Sequence, residues 1–139
     1  MATITYTVTV ATGTNQYSAN ANKFYINGEV SPVLELQEGN TYIFDQSDST
    51  NAGGGGHPLR FSATANGTWG TAPGGGAGVV YTTGVTTSGT PGNAGAYTQI
   101  VVAPVQTVGA PVLFYYCSNH SGMGNTALTT PPTSGETFF

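Results

Sequence analysis

Residues 3–10 read Thr-Ile-Thr-Tyr-Thr-Val-Thr-Val, an unbroken alternation that sets Ile4, Tyr6, Val8 and Val10 against four threonines. Only an extended chain, whose successive side chains point to opposite faces, keeps those two sets apart. The run therefore predicts a strand with one buried face. Shorter apolar runs follow at 23–27, 33–36, 41–45, 57–61, 79–82, 96–103, 111–117 and 126–129. Asn27-Gly28 closes one of them in a form suited to a tight hairpin turn, and Pro32 marks 33–36 as an edge or short strand. The stretches 14–22, 45–56, 63–78 and 86–95 are polar or rich in Gly and Pro and read as loops. The 21 Gly and 8 Pro argue against long helices. The expected fold is all-β: a Greek-key β-sandwich of seven to eight strands with long Gly-rich loops. Residues 1–130 are expected to form one domain, and 131–139 a tail whose Phe138 and Phe139 dock on this domain or on a neighbouring chain.

Charge narrows the partners. Two basic residues, Lys23 and Arg60, stand against six acidic ones, for a net charge of -4. That leaves no basic stripe to neutralise phosphates, so no nucleic-acid partner is expected. Charged residues make up 6% of the chain, against roughly 25% in an ordinary globular protein. The surface is therefore carried by Thr, Ser, Asn and Gly, which can hydrogen-bond to neighbours in an assembly without burying unpaired charge. The one Cys cannot form an intramolecular disulfide. Residues 1–10 carry neither a basic nor an apolar region of a signal peptide, and no apolar stretch is long enough to span a membrane.

The chemistry is concentrated in residues 115–124, Tyr-Tyr-Cys-Ser-Asn-His-Ser-Gly-Met-Gly. A strand end runs straight into a loop that holds the only Cys, one of the two His, and a Met. Thiolate, imidazole and thioether are the soft and borderline ligands that suit copper, and a thiolate with two imidazoles and a weak axial Met is a blue-copper arrangement. The other histidine, His57, shares its parity with Leu59 and Phe61, so its imidazole is expected to face inward. Cys117 shares its parity with Leu113 and Tyr115. The four consecutive glycines at 53–56 are read as permissive, letting the backbone approach another loop or a partner just before His57.

These residues resemble those of the cupredoxins, which bring one His from an early strand together with a Cys-x-x-His-x-x-Met loop between the last two strands. His57, Cys117, His120 and Met123 match the four ligand positions. The short loop is similar to that of the amicyanins, and residues 116–120 resemble plastocyanin. The runs at 40–45, 57–62, 81–87, 95–100 and 115–124 resemble more closely a module in structural proteins of marine phages, cyanophages especially, over residues 23–130. The resemblance implies a type-1 copper cofactor, in a site that can also stand empty, hold zinc, or serve as a structural His-Cys-His cluster. It departs from the family at two points. Asn119 stands where a Pro commonly precedes the second His, which releases a fixed φ. Pro58 stands where a backbone N–H would reach the Cys sulfur, so that hydrogen bond must come from elsewhere.

No enzyme activity is expected. Cys117 and His120 share one tight loop, which makes them better fellow ligands than a nucleophile and its base, and no separate orienting residue is evident. The expected function is that of a phage virion structural protein: a decoration, cement or fibre-associated subunit on the outer surface of head or tail. Its partners would be a viral capsid or tail protein and copies of itself. The alternatives are a soluble blue-copper electron carrier, which needs a transient redox partner, and a host-surface attachment module.

Overall fold

The computed structural model describes residues 1–104 and 112–131. These hold strands β1 (Thr3–Gly13), β2 (Ala21–Ile26), β3 (Glu29–Val30), β4 (Leu34–Gln37), β5 (Thr41–Asp45), β6 (Leu59–Ser62), β7 (Val80–Tyr81), β8 (Val85–Ser88), β9 (Tyr97–Val101), β10 (Val112–Cys117) and β11 (Asn125–Thr130). Two short 3-10 turns, Ser49–Gly55 and Gly67–Trp69, are the only helical pieces among the described residues. No helix there is long and apolar enough to cross a membrane.

The strands form a sandwich of two mixed sheets, one ordered β3-β2-β1-β5-β9-β8 and the other β4-β11-β10-β6-β7. The all-β expectation holds, but with eleven strands rather than seven to eight. The excess has a physical source. β7 falls within the run 79–82, but β3 is two residues long, too short to show a period, and all of β8 except Val85 falls inside the stretch 86–95 that reads as a loop. Its polar Thr-Thr-Ser run is held by the antiparallel ladder to β9, Val85 opposite Ile100 and Ser88 opposite Tyr97. At the Asn27-Gly28 turn both residues take positive φ, 50° and 85°, the hairpin geometry that dipeptide favours. Residues 132–139, with Phe138 and Phe139, lie outside the described residues.

The alternation of β1 is expressed as expected: Ile4 and Tyr6 pack against the core, and Val8 and Val10 are buried. Its first half pairs in parallel with β5 and its second half antiparallel with β2. Where β5 has left, the 3-10 turn covers the exposed edge. Thr50 Oγ1 accepts from Val10 N at 2.8 Å, and Asn51 Nδ2 donates to Val8 O at 2.8 Å. Between the sheets lie Phe24, Leu36, Phe44, Leu59, Phe61, Ile100, Leu113 and Tyr115, each contributing about 1.5–3 kcal/mol by burial. Phe44 from one sheet meets Phe61 from the other edge-on, centroids 5.5 Å apart.

Candidate metal centre

The ladder between β6 and β10 creates the site. Cys117 lies opposite Leu59 in that register, and Ser118 N donates to Pro58 O at 3.1 Å, extending the ladder past the strand end. His57, two residues before Leu59 and on its face, is thereby delivered to the end of β10. Cys117 Sγ is 3.8 Å from His57 Nδ1 and 3.6 Å from His120 Nδ1. The ligand atoms of the three residues all lie within 4.8 Å of one another. The two rings stand 4.6 Å apart, tilted by 48°. His57 and Cys117 are buried and His120 is partly exposed. Met123, buried in the same core cluster as Cys117, completes a cupredoxin-like ligand pattern.

Two buried amides that sequence reasoning passed over hold His57 in place. Gln46, 1% exposed, donates from Nε2 to His57 O at 2.6 Å and to Asn51 Oδ1 at 2.9 Å, and accepts from Leu59 N at 2.9 Å. Asn51, fully buried, accepts His57 N at its own carbonyl at 2.8 Å. Backbone groups on both sides of His57 are thus satisfied without the imidazole's help. In the sequence both amides sit in a polar loop, where Asn and Gln read as solvated.

Pro58 withholds its amide from the sulfur, as expected, and the structure supplies the replacement. The backbone N–H groups of Asn119 and His120 both reach the Cys117 sulfur. Burial nonetheless pushes the Cys117 thiol up from its ordinary range; those two N–H groups and the charge of Arg60 oppose the shift. Burial, and then the neighbouring His120, hold His57 below the ordinary histidine value. At neutral pH His57 is therefore a neutral ring with a free lone pair, and a metal would displace the thiol proton.

The donor set fits a soft or borderline ion: two imidazoles and a thiol converge, and a thioether is close by. The one orphaned polar atom sharpens the fit. His57 Nε2 is buried with no hydrogen-bond partner among the described residues, so the ring's polar business is conducted at Nδ1, facing the sulfur. The glycines at 53–56 lie over the opposite side. A Cβ on Gly53 would stand 3.7 Å from His57 Nε2, and one on Gly54 3.2 Å from His120 Nε2. Asn119 Nδ2 fastens this loop to the ligand loop, donating to Gly56 O at 3.1 Å. The permissive reading of these glycines holds, and the surface they approach is the pair of imidazoles.

On the other flank, Trp69 Nε1 donates to Cys117 O at 2.9 Å. The ring of Tyr116 packs so closely under Gly67 that a Cβ there would fall 2.1 Å from it. Tyr116 is consequently buried although its parity points it away from the core. Compared with protein-family models, curated proteins and solved structures, the chain matches none of them.

Proposed function

We propose that this chain is a cupredoxin-like copper-binding domain that serves as a structural subunit of a phage virion. The observation that carries the metal reading is the convergence of His57, Cys117 and His120 on one point, at 4.8 Å or less between ligand atoms. His57 arrives there from a different part of the chain, on a backbone whose polar groups are already satisfied. Copper would be held by the Cys117 thiolate and the two Nδ1 atoms, with Met123 as the weak fourth ligand. When bound, it supplies a link between the start of β6 and the β10–β11 loop that the unfolded chain lacks, and so stabilises the fold.

The virion setting is supported by the resemblance to phage structural modules and by the charge-poor surface. Val30, Val33, Val79 and Val80 are exposed at or beside β3, β4 and β7, strands at the rims of the two sheets. Weak contacts between such rims gain strength when repeated over a lattice. A soluble electron carrier is the second reading, in which a redox partner would dock at the partly exposed His120; the charge-poor surface and the phage-module resemblance favour assembly over it.

Two measurements test the proposal. Metal-free protein titrated with copper should take up one ion per chain with a thiolate-to-copper absorption band, and Cys117→Ser should abolish it. Reconstruction of the native particle should show the sandwich at a repeated position on head or tail. A free monomer absent from particles would remove the virion role while leaving the metal site standing.

A further inference from the structure

Resting on the metal reading above, we propose that Asn15 is the specificity-determining residue of the centre: it holds Met123 in place and thereby favours copper(I) over zinc. Asn15 lies in the loop between β1 and β2, far along the chain from every ligand. Its side chain does two separable things. The Oδ1 atom accepts Tyr17 N at 2.9 Å and Ser18 N at 3.2 Å, which folds its own loop. The Nδ2 atom reaches across to the ligand loop, donating to Gly122 O at 2.9 Å, Gly124 O at 3.2 Å and Ser31 Oγ at 3.1 Å.

The carbonyl between those two is held as well. Met123 O accepts Ser31 Oγ and Phe24 N, each at 3.0 Å. Asn15 thus touches the residue on either side of Met123, and through Ser31 it touches Met123 itself. Further bonds close the ring: Lys23 Nζ to Gly122 O at 3.0 Å, and Gly122 N to Asn66 Oδ1 at 2.8 Å. Behind the loop stands β10, so near that a Cβ on Gly124 would lie 1.9 Å from Tyr115 O. The Met123 backbone is thereby anchored on both sides before any ion arrives, with Asn15 the one side chain among the described residues that bonds to both of its neighbours.

This bears on metal choice because the ligands differ in how much they need such help. Thiolate and imidazole bind copper and zinc alike, and zinc completes a four-coordinate site with water. The thioether is a weak ligand on a side chain with three rotatable bonds, and it suits the softer copper(I). Its contribution survives only if the entropy of placing it is met before the ion arrives. Ordering by Asn15 should therefore count for copper(I) and hardly at all for zinc.

The test compares Asn15→Asp, Ser31→Ala and Met123→Ala with the parent chain, measuring copper(I) and zinc affinities by chelator competition. Asn15→Asp keeps the size and the Oδ1 acceptor of its own turn but turns an acceptor toward the carbonyls of Gly122 and Gly124. Its copper(I) affinity should fall by roughly 10–100-fold, with zinc changed by no more than about threefold. Ser31→Ala removes only the hydroxyl that reaches Met123 O and should move copper(I) in the same direction by less; it decides the matter if Asn15→Asp does not fold. In the Met123→Ala background, Asn15→Asp should cost copper(I) little more, because the two act through one ligand. Equal losses for both metals, or additive losses in the double variant, would reduce Asn15 to a structural residue. If Cys117→Ser binds copper(I) as tightly as the parent, the metal reading itself fails, which is a different result from an unaffected Asn15→Asp.

Discussion

The indole of Trp69 is hydrogen-bonded to the backbone carbonyl of Cys117 at 2.9 Å, while 46% of the residue remains exposed. Trp69 is the only tryptophan in the chain, so its fluorescence reports on one place, the backbone of the central ligand. Copper(II) should quench most of that emission and zinc should quench little. Quenching that persists in Cys117→Ser would mean that the ion sits elsewhere.

Metal should stabilise the folded chain by mass action. At free copper(I) a hundred times its dissociation constant the gain is about 2.7 kcal/mol, readable as a rise of roughly 5–10 °C in the unfolding midpoint. Cys117→Ala should lose that gain entirely. Without metal it should cost only about 1 kcal/mol, because a buried Cys behaves as a small hydrophobe. A large penalty in the metal-free protein would identify the thiol as a structural partner of the two histidines instead.

Gln46→Leu removes the side chain that pairs His57 O, Leu59 N and Asn51 Oδ1. Three buried polar groups lose a partner, and stability should drop by about 3 kcal/mol. Denaturant midpoints measure this. A cost below about 1 kcal/mol would show that the clamp on His57 is dispensable.

Two glycines of the site make opposite predictions. At Gly124 a methyl would lie 1.9 Å from the carbonyl oxygen of Tyr115, and backbone cannot swing aside as a side chain can. Gly124→Ala should cost about 3 kcal/mol or more. Gly53 has φ -63° and ψ 155°, open to any residue, and its nearest neighbour would be at 3.7 Å. Gly53→Ala should change stability by no more than about 0.5 kcal/mol. Similar values for the two would contradict the packing described.

Alkaline pH should weaken the fold through Tyr115. Burial pushes its phenol far above the ordinary value, so the unfolded chain ionises first, near pH 10. The stabilisation is complete below that pH and is lost as pH rises beyond it. Tyr115→Phe should be less stable at pH 8 by about 1 kcal/mol, since it forfeits the 2.6 Å bond to Pro32 O, yet should decline less steeply above pH 10. An unchanged slope in chemical denaturation between pH 9 and 11 would assign the effect to Tyr6, Tyr81 or Tyr116, whose phenols burial also raises.

The sandwich and the ligand cluster were legible for different reasons. β1 announces itself by alternation, and its parity alone tells which side is buried. His57, Cys117, His120 and Met123 stand out because residue types with special chemistry are rare in this chain. What supports them was illegible. Asn15, Gln46 and Asn51 lie in loops, and nothing local separates an amide that caps its own turn from one that crosses to another loop. Lys23 reads as surface charge but is fully buried, with its amine on Ser18 Oγ and Gly122 O. Tyr116 should face outward by parity, and only the lobe around Trp69, remote in sequence, covers it.

The parallel pairing of β4 with β11, Leu34 beside Ala127 and Gln37 beside Thr130, joins the early and the late parts of the chain. His57 can reach its place once β5 and the 3-10 turn have formed, all within the first half of the chain. Cys117 and Met123 lie at the end of β10 and in the turn of the β10–β11 hairpin, and joining that hairpin to β4 closes a long loop at an entropic cost. The hairpin that closes this long-range pairing also carries Cys117, His120 and Met123. Metal uptake would mark a chain whose folding is complete, and a domain that loses β11 should lose its ion before it loses its core.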